Sequence, residues 1–433
     1  MRKCVGLIIA LLMVGGSAAA GIDYAALDPA VEIRGIWIDA GAIPKTARGI
    51  RQMVRDYGRA HFNVLLPETI CRGYAIYPSS LIERDPRFAG AIDPLPVMIS
   101  EAHRHGMEVH PWVWVFRAGY TKDKGAILRA HPDWAEVDRN GRDLSPNGGY
   151  WLSPSNPSAR DFLAGLFAEL TARYDIDGIH LDYIRYETEV KQAYGYSESS
   201  RCLFRKQYGI DPADVQPGTL DQLFWNKFRE RQINTFVQRI ALQTRSIRPG
   251  AIVSAAVGSY PPDARLQLMQ NWPNWAANKW VDFVAPMSYS TDDEHFGRLI
   301  LRHKEAVGNS ALLAEGVGVF VHKEPCQTAA QIGVSREMGA SGQILFSASY
   351  CGLDRLDALR CGPYAAQASL PFRDARGACA KLCARSNECR AKGLSEEANY
   401  YSNAARSLGD YAAYRAQPRA YVLPTAPPLV FNH

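Results

Sequence analysis

The sequence predicts an α/β fold, a closed (β/α)8 TIM barrel followed by a small helical extension that contains cysteines. Helix-like stretches separate successive strand-like apolar runs, and eight strand–helix units in series are typical of a parallel barrel with helices outside. A doubly wound open sheet is the alternative, but no glycine fingerprint follows the first strand. The strand-like runs cover 32–38, 62–67, 107–114, 177–182, 251–257, 281–289, 312–320 and 342–348.

The helical elements follow from apolar periodicity and from residues that start and stop helices. The second helix begins after Asp93, a good N-cap residue, and stops before Gly106. Well-defined helical patterns cover 46–60, 93–105, 158–174 and 220–247, and weaker ones cover 264–279, 295–307, 328–338 and 353–360.

Two connections, 116–156 and 184–219, are too long for simple turns. Both follow predicted strands, so we expect them at the C-terminal rim of the barrel. Active sites of this fold are built on that rim, from the loops that follow the strands.

Residues 1–20 have the pattern of a secretory signal peptide. Arg2 and Lys3 precede a short apolar run, and Ala18 and Ala20 give an A-x-A cleavage site. A retained membrane anchor is the alternative, but the apolar run is too short to span a bilayer comfortably. We therefore expect a mature protein that is periplasmic or secreted, without stable membrane insertion.

Composition excludes some partners. The chain has 433 residues, 47% hydrophobic and 21% charged, which suits a globular protein with a large core and an appendage. Its formal net charge of +5 comes without a basic run, so we expect no nucleic-acid partner. A weakly basic exported protein could bind an acidic polymer, although solubility alone accounts for the charge.

Cysteine usage points to an oxidising compartment. Eight cysteines follow the predicted signal peptide, and an even number in an exported chain favours disulfides. Five of them lie between Cys351 and Cys389. We therefore expect 362–433 to be a disulfide-tied helical appendage to a catalytic barrel at 31–361. The last three cysteines lack a zinc spacing, and the sequence predicts no metal and no cofactor.

The fourth predicted strand, DGIHLD, carries His180 and Asp182. Residues two apart in a strand share a face, and burying both groups is costly unless they are paired or used. Asp182 ends the strand, where a barrel builds its site; a structural ion pair with Arg34 or Arg185 is the alternative. His180 either orients Asp182 or is a hydrogen-bonded core residue.

Aromatic residues occupy the ends of other strands. The third strand places His110, Trp112 and Trp114 on one face, and the sixth ends in Met287 and Tyr289. Aromatic faces pack against the C–H surface of pyranose rings. We expect Trp112 to stack on a sugar and Trp114 to belong to the core.

Carboxylates are the other component of a sugar-cleaving site. Glycoside hydrolysis typically uses two, one to protonate the leaving oxygen and one as base or nucleophile. Besides Asp182, the candidates are Glu68 on the second strand, Glu187 after the fourth and Glu315 on the seventh. Glu68 could instead be a surface loop residue, and Glu315 could be the partner of an arginine.

Seven ordered motifs carry a family resemblance over about residues 31 to 350: EIRGIWID, FNVLLP…YPSSL, HPWVWVF, HPDW, YWLSPSNPSARDF, DGIHLDYIRY and DFVAPMSYS. In this order and spacing the chain resembles the family-10-like glycosyl hydrolases. These are exported bacterial TIM barrels that include a divisome-localised hydrolase of denuded peptidoglycan glycan strands. The resemblance implies a polysaccharide substrate.

The resemblance also implies site residues. We add His110, His180 and Arg185 to them because of their positions on or just after predicted strands. The sequence departs from the family pattern at Glu187, where proline is common, and at Glu68, where a neutral or basic group is common. The residues implied by the motifs are Arg34, Trp37, Trp112, Trp151, Asn156, Asp182, Tyr183, Met287 and Tyr289.

These observations favour an exported glycoside hydrolase. Asp182 would act as nucleophile or general base, with Glu68, Glu187 or Glu315 as general acid. The resemblance implies an amino-sugar polymer as substrate, peptidoglycan glycan strands first and another secreted amino-sugar exopolysaccharide second. A non-catalytic carbohydrate-binding barrel at the cell wall is the alternative from a different functional class.

Overall fold

Eight parallel strands close into a barrel in the computed structural model, which describes residues 22–188 and 193–417. Each strand pairs with its neighbours in chain order. The first strand, β1 (Ile33–Ile38), pairs with both β2 (Val64–Cys71) and β12 (Gly342–Phe346), which closes the cylinder. The predicted (β/α)8 barrel is confirmed. The barrel strands are β1 (Ile33–Ile38), β2 (Val64–Cys71), β4 (Glu108–Val109) continued by β5 (Trp112–Trp114), β8 (Gly178–Asp182), β9 (Ile252–Val257), β10 (Phe283–Pro286), β11 (Leu312–Gly318) and β12 (Gly342–Phe346).

Helices surround the barrel, and their starts follow local sequence. The helix at Pro94–Arg104 begins at Asp93, whose side chain accepts a hydrogen bond from the Leu95 N–H, and it ends before Gly106, whose φ is +68°. The helices outside the barrel are α1 (Ala47–Arg59), α2 (Pro94–Arg104), α3 (Ala126–Ala130), α4 (Pro157–Arg173), α5 (Glu198–Tyr208), α6 (Leu220–Ile247), α7 (Pro261–Leu268), α8 (Trp272–Ala277), α9 (Asp293–Val307), α10 (Pro325–Glu337) and α11 (Leu353–Cys361).

The long connections lie on the C-terminal rim, as the sequence predicted. After β2 the chain adds the short strand β3 (Tyr74–Ala75), and after β5 it forms an antiparallel hairpin of β6 (Arg117–Tyr120) and β7 (Gly149–Trp151). The connection after β8 contains α5, which packs on α6 through a separate small core. These insertions form the walls around the barrel mouth.

The opposite end of the barrel is closed by the segment after α11. The Phe372 ring stacks on Phe283, with 5.9 Å between centroids, and lies 6.2 Å from the His110 ring. Arg373 is paired with Glu108 at the start of the third barrel strand. Beyond it, α12 (Ala375–Ala391) and α13 (Ser395–Ala416) form a helical hairpin. The appendage therefore seals the end of the barrel away from the rim.

Glu32 is the centre of a buried ion-pair network at this closed end. Its carboxylate lies 2.8 Å from Arg34 Nε and 2.8 Å from Arg336 Nε. Arg34 also donates to the Ala366 carbonyl, and Arg336 donates to the carbonyls of Leu27 and Pro363. The network thus joins β1 to α10, to the chain before β1 and to the closing segment.

The eight described cysteines are free thiols, so the predicted disulfides are absent from the part of the chain that the structure describes. Three of the thiols lie on α12. The other five are spread over β2, α5, α10, α11 and the turn before α11. Cysteines on a single helix cannot tie that helix to a different element. Packing and ion pairs hold the appendage instead.

Two sequence expectations concern membranes and export. The predicted signal peptide, 1–20, lies outside the described residues. Within 22–188 and 193–417, none of the helices combines the length and the apolar character that a membrane crossing requires.

We predict that Glu32→Gln lowers the free energy of unfolding by about 3–5 kcal/mol at pH 7, because it leaves two buried guanidinium groups without their counter-charge. Urea denaturation measures the change. Glu388→Gln is the control, since Glu388 forms an exposed pair with Arg385 and its loss should cost at most about 1 kcal/mol.

The difference in free energy of unfolding between wild type and Glu32→Gln should depend on pH in a defined direction. Burial would raise the pKa of the Glu32 carboxyl, but the charges and hydrogen bonds of Arg336 and Arg34 lower it to about 2. The stabilisation is therefore complete above the unfolded pKa of about 4.3 and is lost as the pH falls towards 2. Equal stability of Glu32→Gln and wild type at pH 7 would contradict this account.

Candidate active site

A cleft of about 560 Å³ opens at the C-terminal rim of the barrel. Three carboxylates line it, from Asp39, Glu68 and Asp182, together with the guanidinium groups of Arg72 and Arg87. Much of the remaining wall is aromatic, contributed by Trp37, Trp112, Trp114, Tyr120, Tyr183, Tyr289, Phe346 and Tyr350.

Asp182 is fixed at the end of β8 by two N–H donors. Its Oδ2 accepts from the Trp112 indole N–H at 3.0 Å and its Oδ1 accepts from its neighbour's backbone N–H at 2.6 Å. Burial raises the pKa of this carboxyl, whereas the two hydrogen bonds and the charges of Arg185 and Arg117 oppose that rise. The donors hold the side chain in place and stabilise its ionised form.

Tyr183, which supplies that backbone N–H, has a left-handed φ of +48°. This conformation is unfavourable for a bulky residue, so the surrounding packing must hold it. The Tyr183 ring lies 4.6 Å from the Trp114 ring and 5.7 Å from the Trp151 ring, between centroids. The turn at the end of β8 therefore aims both Asp182 and Tyr183 into the cleft.

His180 lies one layer below Asp182 and orients Trp37, not Asp182. Ser254 donates its hydroxyl to the Ile179 carbonyl, so it accepts from His180 Nδ1–H at 2.8 Å. Nε2 is then free to accept from the Trp37 indole N–H at 3.0 Å. Burial lowers the pKa of His180 well below its usual value, which keeps the ring neutral. His180 thus positions Trp37, and Trp112 orients Asp182.

Glu68 and Asp39 form a neighbouring pair on the other side of the cleft. Ile38 of β1 pairs with Pro67 of β2, so the next residue on each strand brings the two carboxyl groups together. Burial and the charge of Asp39 together raise the pKa of Glu68 to about 7, against the lowering effects of the Ala40 N–H hydrogen bond and the charge of Arg87. A carboxylic acid with this pKa is poised to donate a proton near neutral pH.

Asp39 was not among the residues predicted from the sequence. Its Oδ2 accepts from Ser347 Oγ at 2.5 Å and from Ser349 Oγ at 2.7 Å. The signal that could have found it is the last letter of EIRGIWID, since Asp39 follows β1 directly at the rim.

The structure does not bring Glu187 and Glu315 into the cleft. Glu187 is buried in the rim loops, where it accepts from Ser145 Oγ at 2.9 Å and from Trp151 Nε1 at 3.1 Å. Glu315 lies 2.9 Å from His303 Nδ1 of α9, on the outward face of β11. Alternation along the strand turns Glu315 towards the helices, so neither carboxylate is placed to act as the general acid.

Four residues predicted to bind substrate also lie outside the cleft. Arg34 and His110 are at the closed end, in the networks of Glu32 and Glu108. Asn156 caps α4 by accepting from the Ala159 N–H at 3.1 Å. Trp151 is buried behind the cleft wall with its N–H on Glu187. These side chains support the barrel and its rim.

The cleft brings together most of the other predicted residues. Arg185 lies at its edge, with its guanidinium carbon 5.1 Å from the Tyr183 ring centroid. Trp114, predicted to be core, lines the cleft. The sequence did not single out Tyr120, Arg72, Arg87 and Tyr350. Tyr120 ends the short rim strand β6, and the other three lie in short segments of the rim connections that carry no periodic pattern. The predicted residues that line the cleft are Trp37, Glu68, Trp112, Asp182, Tyr183, Met287 and Tyr289.

Metal binding has no support in the described residues, where no group of three histidine, cysteine or acidic side chains is arranged to hold an ion. The chemistry available in this cleft is that of carboxylic acids and carboxylates beside aromatic rings.

Comparison with known proteins identifies the family. Residues 32–311 match the family described as glycosyl hydrolase-like 10. The chain belongs to this family. The resemblance seen in the sequence motifs is confirmed, and a glycosidase-like protein is supported.

Two relatives illustrate the extent of the similarity. The glycosyl hydrolase DigH of Escherichia coli K12 is 29% identical over 157 residues, which cover 31% of this chain and 35% of DigH. The glycosyl hydrolase YngK of Bacillus subtilis 168 is 23% identical over 274 residues, 55% of this chain and 48% of YngK. The chain thus spans less than half the length of either relative.

Solved structures share the fold. The PgaB (BpsB) glycoside hydrolase domain from Bordetella bronchiseptica superposes with a TM-score of 0.62 at 15% identity, covering 76% of this chain and 98% of that domain. Alpha-L-fucosidase isoenzyme 2 from Paenibacillus thiaminolyticus gives a TM-score of 0.55 at 18% identity, covering 77% and 49%. At these identities the similarity establishes the barrel and nothing about substrate.

We predict that Asp39→Asn lowers the pKa of Glu68, because it removes a negative charge that opposes ionisation of the neighbouring carboxyl. Carbon-13 NMR of protein labelled at glutamate carboxyl carbons measures the titration, with the signal assigned by its loss in Glu68→Gln. The wild-type signal should titrate at about pH 7. Asp143→Asn, far along the rim connection, is the matched control; identical midpoints in Asp39→Asn and wild type would refute the coupling.

Proposed function

We propose that this chain is a glycoside hydrolase in which Asp182 is the nucleophile or general base and Glu68 is the general acid. The observation that carries the proposal is the position of these carboxyl groups on either side of Trp112 in one cleft. Glu68 pairs in register with Trp112, and Asp182 pairs with Trp114 on the next strand. One β-strand separates them, which leaves space for a sugar ring.

The two environments separate the roles. Burial raises the pKa of the Asp182 carboxyl, but its two N–H donors and the charges of Arg185 and Arg117 oppose that rise. Glu68 is buried beside Asp39, which favours the protonated form. The Glu68 carboxyl, with a pKa of about 7, is suited to donate a proton near neutral pH, and the N–H donors and guanidinium charges at Asp182 support its role as base or nucleophile.

The reaction follows from this geometry. Glu68 donates its proton to the glycosidic oxygen as the bond to the anomeric carbon breaks. Asp182, on the other side of the sugar, acts in one of two ways. As nucleophile it attacks the anomeric carbon and forms a glycosyl ester, which water then hydrolyses while Glu68 takes up the proton of that water. As general base it removes a proton from the water that attacks the anomeric carbon. The indole of Trp112 keeps Asp182 in place throughout, and Trp37 and Tyr289 line the cleft around the sugar.

The shape of the cleft supports a polymeric substrate. Exposed aromatic side chains extend the wall in two directions: Tyr120, 38% exposed, lies beside Trp114, and Tyr350, 54% exposed, lies beside Phe320. Such rings provide stacking surfaces beyond the central sugar. With the motif resemblance, this supports an amino-sugar polymer, peptidoglycan glycan strands first, acted on outside the cytoplasm by an exported protein.

We predict that the wild-type protein releases new reducing ends from glycan strands stripped of their stem peptides by an amidase. Asp182→Asn and Glu68→Gln should each lower the rate by about 10²- to 10⁴-fold, since each removes a proton-transfer or covalent step. Glu187→Gln is the control, because its side chain lies outside the cleft and the amide can still accept from Trp151. Reducing-end assays and product masses give the result, on variants matched in melting temperature.

Each contrary outcome has a distinct meaning. Binding of glycan strands without any release, unchanged in Asp182→Asn, would contradict the hydrolase and leave a carbohydrate-binding barrel. Equal losses in Glu187→Gln and Glu68→Gln would contradict the assignment of the acid. Release only from another amino-sugar exopolysaccharide would support the proposed hydrolase activity but contradict the proposed peptidoglycan substrate.

A further inference from the structure

Arg117, the first residue of β6, is a cation held in the cleft wall by aromatic rings. Its guanidinium carbon lies 4.2 Å from the Tyr120 ring centroid, 5.1 Å from that of Tyr183 and 5.8 Å from that of Trp114. All three rings line the cleft. The Trp151 ring lies behind, also at 5.8 Å. The guanidinium is therefore fixed in position beside the residues that flank Asp182.

The other arginines around the cleft have carboxylate neighbours. Asp85 is paired with both Arg87, at 2.6 Å, and Arg72, at 3.4 Å. Arg185 lies 3.7 Å from Glu187. Arg117 has no such ion pair among the described residues, and its buried Nε has no hydrogen-bond partner there. No hydrogen bond or ion pair among the described residues uses the two Nη groups either, and unlike Nε they are not both sealed from solvent. Arg117 therefore has unused capacity for an acceptor at its Nη groups.

The chemistry of that acceptor follows from the guanidinium. Aromatic faces stabilise a cation without neutralising it, so the positive charge remains available to an anion. The planar fork of donors matches the two oxygens of a carboxylate. Because Tyr183 contacts Arg117 and adjoins Asp182, an anion on Arg117 would belong to the sugar bound next to the catalytic carboxylate.

We propose that Arg117 is a specificity-determining residue that binds a carboxylate carried by the sugar next to the scissile bond. The inference rests on the proposed function and names the substrate class more closely, as an acidic glycan. Two kinds of sugar supply such a group: one with a lactyl ether, as in N-acetylmuramic acid, and a hexuronic acid with its C6 carboxylate. Both present the same planar anion to the guanidinium.

The test compares peptide-free glycan strands with the same strands after chemical reduction of their carboxyl groups to alcohols. Wild type should cleave the native strands with a kcat/KM roughly 10- to 100-fold higher than the reduced strands, the size expected for a charge-assisted hydrogen bond. Arg117→Gln should remove this preference by raising KM for native strands, so that native and reduced strands are cleaved with the same kcat/KM. Any loss of kcat caused by removing the charge near Asp182 affects both substrates alike and leaves that comparison intact.

Two further variants separate specificity from structure. Arg117→Lys keeps the charge and should retain part of the preference. Arg129→Gln removes one positive charge from the same rim connection, at an exposed residue paired with Asp123 and Glu83, and should behave as wild type. A purely structural defect in Arg117→Gln would leave the wild-type preference for native over reduced strands in place and would overturn the inference.

Binding makes the test independent of turnover. Calorimetry with Asp182→Asn should show tighter binding of native than of carboxyl-reduced oligosaccharides, and the double variant with Arg117→Gln should not. Equal affinities, or binding of neither, would overturn the role of Arg117 whatever the fate of the hydrolase proposal. Hyaluronan oligosaccharides, which carry glucuronate, form a parallel arm: an Arg117-dependent preference for them over glycan strands identifies a uronate, and the reverse identifies the lactyl ether.

Discussion

The buried carboxylate of Glu32 is the interaction on which the rest of this barrel depends. It neutralises Arg34 and Arg336 where neither could be buried alone, and through them it joins β1, α10 and the closing segment. With one end of the barrel sealed in this way, the polar side chains at the other end can face solvent and ligand. The ion pairs of Glu32 therefore stabilise the closed end of the barrel, and the candidate catalytic groups lie at the open end.

At the open end, the same residue type acquires different properties from different neighbours. Asp182 is held by the N–H groups of Trp112 and Tyr183, whereas Glu68 is buried beside the charge of Asp39. Even the neutral His180 contributes, since its fixed tautomer positions Trp37. The acid–base assignment therefore rests on packing and hydrogen bonds around each carboxyl group, and the aromatic wall supplies much of that packing.

The sequence was sufficient to predict the barrel, its rim and the position of Asp182 at the rim, because apolar runs and strand ends are local patterns. It was insufficient where the answer depends on which face or end a side chain occupies. Arg34 lies only three residues before Trp37, yet it serves the closed end, and Glu315 turns outward to His303. Asp39 was missed because its significance comes from its pairing with the strand that carries Glu68. Such proximity is a property of the closed barrel.

The central claim is that a glycosidic bond lies between Asp182 and Glu68, and a crystal structure of Asp182→Asn with a peptide-free glycan oligosaccharide tests it most directly. We predict that a sugar packs against Trp112 and Tyr289 with its glycosidic oxygen about 2.6–3.2 Å from a carboxyl oxygen of Glu68. An oligosaccharide bound with that oxygen beyond the reach of Glu68, or bound outside the cleft, would contradict the account.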